Sequence, residues 1–110
     1  MPDRIDAYLG IHTRALMLES RRAELLANNL ANADTPGFKS RDIDFKSALA
    51  TAAGAEELKY RVPLAPALDG NTVDAQLEQS AFAANAVRYQ ATLTFINGKL
   101  RSLMTAITGQ

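Results

Sequence analysis

Few side chains in this sequence have a type and spacing that could do chemistry. His12 is the only histidine and cysteine is absent, so a multi-histidine metal site and a thiolate nucleophile are both excluded. No serine stands in a Gly-x-Ser-x-Gly motif, and the glycines are too scattered for a phosphate-binding or dinucleotide-binding loop. Acid pairs such as Asp42 and Asp44 are more typical of solvated loops than of catalytic dyads. We therefore expect a protein that is not an enzyme and that uses no cofactor, metal or small-molecule substrate.

Charge and hydropathy exclude further classes of partner. Lys plus Arg and Asp plus Glu each total 12, which gives a formal net charge of zero, and no block of like charges is longer than Arg21 and Arg22. A nucleic-acid surface would need clustered basic residues to displace counterions. No apolar run could cross a bilayer, and the N-terminus has no apolar signal core. The expectation is a soluble protein that does not use the general secretory route.

An apolar heptad pattern dominates the C-terminal part of the chain. Its members alternate between spacings of four and three and are Phe82, Ala86, Tyr89, Leu93, Ile96, Leu100, Leu103 and Ile107. Such a seam predicts a helix that lies along another helix. A weaker row on the far side of the same helix consists of Ala84, Val87, Ala91 and Phe95. A helix that is apolar on two sides needs neighbours on two sides.

Two apolar rows also run along the predicted N-terminal helix. Each recurs every seven residues, with Leu9, Leu16, Ala23 and Leu30 in one row and Ile11, Leu18 and Leu25 in the other. A displacement of two residues is about 200° around a helix axis, so the rows face nearly opposite ways. One row can pair with the C-terminal seam, and the other is left uncovered.

The uncovered row leaves two alternatives. Exposure costs about 1.5 to 3 kcal/mol per leucine relative to burial, which favours association with further copies or partners. Alternatively, the middle segment folds back over this face and forms an ordinary three-helix bundle. Under association, the residues expected to pair the helices within the chain are Leu9, Leu16, Leu30, Leu93, Ile96 and Leu100. Those expected to contact other subunits are Ile11, Leu18, Leu25, Val87 and Phe95.

A polar stretch follows the N-terminal helix, and we call residues 28–38 the polar joint. Asn32 is a plausible left-handed helix terminator, and residues 35–38 place proline and glycine as a type II turn requires. In the structural interpretation these residues only stop the helix. In the functional one they dock onto another subunit, with Phe38 as an apolar anchor. The residues concerned are Asn28, Asn29, Asn32, Asp34, Thr35, Pro36, Gly37 and Phe38.

Signals in the middle of the chain predict short elements only. Asp44 is placed to cap a brief helix, and the alternation of residues 58–62 is typical of an extended piece. Asn71 or Thr72 is placed to cap a long return helix with Gly109 beyond its end.

These signals predict an all-α fold, an elongated pair of long N- and C-terminal helices with coiled-coil-like packing, joined by a short irregular middle segment. The expected boundaries are 1–35 for the N-terminal helix, 36–72 for the turn, short helix and proline-containing loop, and 73–110 for the C-terminal heptad helix. Together they form one structural domain.

The polar joint carries a resemblance to a known family. Residues 28–39 read Asn-Asn-Leu-Ala-Asn-Ala-Asp-Thr-Pro-Gly-Phe-Lys, which resembles the signature of the flagellar rod and hook family of axial proteins. Segments 41–45, 69–74 and 82–90 resemble the same family. Two departures stand out: Gln76 and Leu77 replace a usually more acidic pair, and the middle segment is short.

The resemblance implies a structural subunit of the proximal rod of the bacterial flagellar basal body, which polymerises through its terminal helices into a periplasmic drive shaft around the export channel. It implies export by the flagellar type III apparatus without a cleaved signal peptide. The implied partners are further copies of the chain, other rod proteins, the rod-base adaptor, the membrane-ring protein and, in transit, the export apparatus. A soluble helical adaptor and another rod-family member of the same shaft are the alternatives.

Overall fold

Two long helices set the shape of the molecule. The computed structural model describes residues 2–50, 58–60 and 67–109. Its elements in chain order are α1 (Pro2–Ala31), β1 (Arg41–Ile43), α2 (Phe45–Ala50), β2 (Leu58–Tyr60) and α3 (Ala75–Thr108). The extents of 64 × 24 × 18 Å confirm an elongated, mostly helical molecule. The middle segment adds a two-stranded sheet to the expected helices.

Helices α1 and α3 lie side by side and run in opposite directions. Side-chain pairs along their length fix this direction, in the order His12 with Phe95, Glu19 with Thr92, and Asn29 with Glu78. At about 1.5 Å per residue, the 34 residues of α3 span roughly 50 Å, which accounts for most of the long dimension.

Helix α3 begins and ends at well-formed caps. The Asp74 carboxylate accepts the N–H groups two and three residues later, at 3.1 and 3.2 Å. Gly109 follows the last turn with φ of 74°, as predicted. The prediction that Asn71 or Thr72 caps this helix is wrong, because both side chains bind other parts of the chain.

The middle segment forms a small layer of sheet and helix. Strands β1 and β2 are antiparallel, with Arg41 opposite Tyr60. Asp44 caps α2 by accepting the N–H of Ser47 at 3.3 Å, which confirms the predicted short helix. The predicted extended piece is confirmed at 58–60, and its last two residues lie outside the described part of the chain.

This layer covers one face of α1 and forms the apolar core of the molecule. The buried residues of this core are Leu18 and Leu25 from α1 and Ile43 and Ala48 from the layer. Three partly buried side chains of the layer pack against them, namely Phe45, Leu49 and Leu58. The assignment of Leu18 and Leu25 to contacts between subunits is therefore wrong: only 5% and 4% of these side chains is exposed, because the middle segment folds back over them. The alternative of a folded-back middle segment holds for this stretch, although the covering layer is a two-stranded antiparallel sheet with a short helix.

We predict that Leu25→Ala lowers the free energy of unfolding by about 2 to 5 kcal/mol, because it opens a cavity in the core. Urea unfolding followed by far-UV circular dichroism measures the loss. Val87→Ala is the control, because this side chain is 70% exposed, and its effect should stay within about 0.5 kcal/mol. Equal losses in the two variants would contradict the placement of Leu25.

Asp44 gives the fold a dependence on pH. The hydrogen bond from Lys59, with a second from the Ser47 backbone, lowers the pKa of Asp44 below its ordinary value. A carboxyl with a lowered pKa in the folded state stabilises the fold fully above its unfolded pKa and loses that contribution as pH falls through the folded one. We predict that Asp44→Asn is less stable than the parent at neutral pH and that the gap closes below about pH 4. A gap of constant size in acid-titrated thermal melts would count against this.

Candidate functional site

The side chain of Asn71 binds the turn that follows α1. Its Nδ2 group donates to the backbone carbonyls of Asn32, Ala33 and Thr35 at 2.9, 3.1 and 2.7 Å. Its Oδ1 atom accepts the N–H of Val73 at 2.7 Å. These carbonyls belong to the turn that follows α1, so this buried amide holds the turn against the chain that leads into α3.

Asn29 ties three elements together from within α1. Its amide exchanges two hydrogen bonds with the backbone of Arg41, in which Nδ2 donates at 2.8 Å and Oδ1 accepts at 3.1 Å. The side chain therefore pairs with β1 as a neighbouring strand would. Its Nδ2 group also lies 3.1 Å from Oε2 of Glu78 on α3, and both residues are buried. A single amide thus joins α1, β1 and α3.

The turn after α1 is bound to the chain that enters α3. The N–H of Gly37 donates to the carbonyl of Asp69 at 2.8 Å, and the N–H of Thr72 donates to that of Phe38 at 2.9 Å. The hydroxyl of Thr72 accepts the N–H of Ser40 at 2.8 Å. These bonds position the polar joint against residues 69–72.

An ion pair holds the edge of β1 against α1. Nε and Nη2 of Arg22 donate to Oδ1 and Oδ2 of the Asp42 carboxylate, each at 2.9 Å. The pKa of Arg22 is raised chiefly by this hydrogen bonding, against the opposing effect of burial. Bidentate geometry makes this pair a directional contact that fixes the angle of the strand.

The polar joint differs from its prediction in one respect. The turn is confirmed, since Phe38 N–H donates to the Thr35 carbonyl at 3.2 Å and Gly37 has φ of 74°. The left-handed terminator is wrong, since Asn32 is not among the described residues with positive φ. Instead, its Nδ2 donates to the carbonyl of Asn28, one turn earlier.

The remaining side chains of the joint divide into inward and outward groups. Asn29 is buried and serves the fold, as the structural interpretation expects. The exposed residues are Asn28, Asp34, Thr35, Pro36 and Gly37, while Phe38 is half-buried. Docking onto another subunit stays a prediction, and it rests on this exposed surface.

Apolar side chains on α1 and α3 are covered unevenly. Among those expected to pair the helices, Leu9, Leu16, Leu30, Leu93 and Ile96 are half-buried, and Leu100 is 43% exposed. Among those expected to meet other subunits, the exposed ones are Ile11, Val87 and Phe95. Phe95 also contacts a partner within the chain, because its ring centre lies 4.5 Å from that of His12.

Sequence reasoning missed the polar stripe by which α3 faces α1. Glu78, Asn85 and Thr92 recur every seven residues and each binds α1, through Asn29 in the first case and through Glu19 in the others. The only residues of α3 that are buried are Glu78 and Asn85, both polar. Their regular spacing of seven residues is visible in the sequence. The apolar seam beside them, which contains Phe82 and Leu100, is consequently rotated partly toward solvent.

These arrangements are structural contacts. Within the described ranges no group of three His, Cys, Asp or Glu side chains is placed to hold a metal ion. Across the same ranges, no helix combines the length and the apolar character needed to span a bilayer.

We predict that Asn71→Asp lowers the free energy of unfolding by about 3 kcal/mol or more, because a carboxylate would face three carbonyl oxygens in place of a donor. The substitution keeps the oxygen that accepts the Val73 N–H, so the loss of stability reports the loss of the Nδ2 donor alone. Chemical denaturation measures it, with Asn97→Asp at an exposed position of α3 as the matched control. Similar losses in both variants would contradict the role of Asn71.

Comparison with known proteins identifies the family. Residues 9–39 match the family described as "Flagella basal body rod protein". The proteins named flagellar basal body rod protein FlgB from Cereibacter sphaeroides and Salmonella typhimurium are 43% and 40% identical to this chain, over 93% and 99% of it and 94% and 99% of their own lengths. The Escherichia coli protein of that name is 39% identical over 97% of both. The resemblance drawn from the polar joint is thereby confirmed, and the chain belongs to the FlgB family of flagellar basal body rod proteins.

Proposed function

We propose that the protein is a structural subunit of the proximal rod of the bacterial flagellum, which polymerises through α1 and α3 into a shaft around the export channel. Family membership supports the structural role and the location in the basal body, together with other flagellar proteins. One observation supports this mode of assembly. Helix α3 leaves a large amount of apolar side-chain surface exposed along its whole length.

The exposed apolar side chains of α3 are Leu77, Phe82, Val87, Phe95, Leu100, Met104 and Ile107, with exposed fractions from 38% to 77%. At 100° per residue, they lie on both flanks of the polar stripe and on the side opposite α1. Full burial of such a side chain is worth about 1.5 to 3 kcal/mol. Neighbouring subunits packed on both flanks would supply that burial.

A drive shaft must resist shear between its subunits. Interdigitated helix side chains suit this demand, because close-packed interiors are scarcely compressible. The partners we propose are further copies of this chain, other rod proteins, the rod-base adaptor and the membrane-ring protein. Export through the flagellar type III apparatus and a position in the periplasm complete the proposal.

One observation favours the alternative of a soluble helical adaptor. The apolar core around Leu18 and Leu25 lies within one chain, which is compatible with a folded monomer. An adaptor would remain monomeric and would be absent from isolated basal bodies. The two functions therefore differ in where the protein is found.

We predict that Val87→Asp combined with Met104→Asp prevents incorporation into the rod while leaving the fold and export intact, because both side chains are at least 65% exposed. A strain that lacks the chain is complemented with the variant, and swimming, the content of isolated basal bodies and secretion are measured. Loss of swimming and of the basal-body protein is expected, with the variant still exported.

Ala50→Asp combined with Tyr60→Asp is the matched control, because it adds the same charge to exposed positions of the middle segment. This control should swim normally. Normal swimming of the α3 variant, or equal defects in both, would contradict assembly through the terminal helices.

A further inference from the structure

A pocket that the packing of α1 and α3 leaves open has no role in the fold. Its volume is about 310 Å³. The residues that matter for its chemistry are Glu19 and Ala23 from α1 and Phe82, Asn85, Ala86 and Tyr89 from α3. Two aromatic rings and two small apolar side chains thus lie beside Glu19 and Asn85, and two further polar residues complete the lining.

The two polar groups at this pocket are buried acceptors. Glu19 is 4% exposed and Asn85 is 1% exposed. Oε1 of Glu19 accepts the Thr92 hydroxyl at 2.9 Å, while Oε2 has no hydrogen-bond partner. Nδ2 of Asn85 donates to the Glu19 carbonyl at 2.8 Å, while Oδ1 has no partner. Buried acceptors are normally satisfied, so each of these two atoms lacks a donor.

The chemistry of the missing donor follows from the lining. A carboxylate oxygen and an amide oxygen call for a cationic group with several N–H donors. Aromatic rings such as Phe82 and Tyr89 favour a planar cation, since a guanidinium stacks on such rings and carries its charge on an apolar stem. An arginine side chain meets each of these requirements.

The chain itself carries a suitable arginine on the other flank of the polar stripe of α3. After Glu78, α3 has no acidic residue, and its cations are Arg88, Lys99 and Arg101. Lys99 lies over the Phe95 ring at 5.3 Å from its centre. Arg88 is exposed and lies at the height of the pocket. Around the helix axis, Arg88 lies about 60° from Asn85 in one direction, whereas the other α3 residues of the pocket lie about 40° to 140° from Asn85 in the opposite direction.

We propose that Arg88 of a second copy of this chain inserts into this pocket and donates to Glu19 and Asn85. Because the arginine and the pocket lie on opposite flanks of the polar stripe of α3 at one height, the contact joins parallel copies side by side. It is a heterologous contact, which repeats from one copy to the next. The exposed Val87 beside the arginine would pack against the apolar rim. The inference rests on the proposed rod function and names the site of self-association.

The test links copies within assembled rods. Because the natural chain has no cysteine, Ser20→Cys at the pocket and Ala91→Cys one turn after Arg88 introduce the only thiols of the chain. Basal bodies from a strain complemented with this double variant are treated with a short bismaleimide. The linked peptides are identified by mass spectrometry. A link between Ser20→Cys of one copy and Ala91→Cys of another is expected, whereas Ala106→Cys in place of Ala91→Cys should give none.

Two further substitutions test the charge. Arg88→Gln or Glu19→Gln, added to the double variant, should lower the yield of the link on the order of tenfold, which corresponds to loss of one charged hydrogen bond. Arg101→Gln removes another exposed arginine of α3 and should leave the yield unchanged. Thermal melts confirm folding, and Arg88→Gln changes only an exposed residue.

The outcomes separate this inference from the rod function. Incorporated protein that forms no link between copies, or links only to a different rod protein, would overturn the inference and leave the function standing. A cross-link yield that does not change with Arg88→Gln would likewise overturn the inference and leave the function standing. Absence of the parent chain from basal bodies would overturn both.

Discussion

Hydrogen bonding by two buried side-chain amides fixes how this chain turns from one long helix into the other. Asn71 binds three carbonyls of the turn that follows α1, and Asn29 pairs with the backbone of β1 while it reaches Glu78. An apolar contact tolerates sliding, whereas an amide that loses its partners leaves buried polar groups unsatisfied. The direction of return, and therefore which face of α3 meets α1, follows from these bonds.

The same kind of interaction continues along the helix pair as the polar stripe of α3. In paired helices a buried polar residue specifies register, at some expense of stability, because only one alignment satisfies it. Glu78, Asn85 and Thr92 have this character here. Because polar groups occupy the covered face, much of the apolar seam is turned outward and is available to neighbours. Register within the subunit and surface for assembly are thus two results of one arrangement.

The sequence predicted the long helices because their periodicity repeats over many turns and an error at one position changes little. It also predicted local features, such as the turn at Gly37 and the cap at Asp44, whose causes lie within a few residues. It failed for Leu18 and Leu25, since an apolar row does not reveal what covers it. Asn71 was taken for a cap for a similar reason: its carbonyl partners lie 36 to 39 residues away.

The apolar core occupies only one end of a molecule that is 64 Å long. No described residue after Asn85, and none from Leu9 to Met17, is buried. We consequently expect the cooperative protection of backbone amides from solvent exchange to be stronger near the joint than along α3 after Asn85. In the proposed rod, neighbouring subunits would therefore bury the most apolar surface along α3 after Asn85.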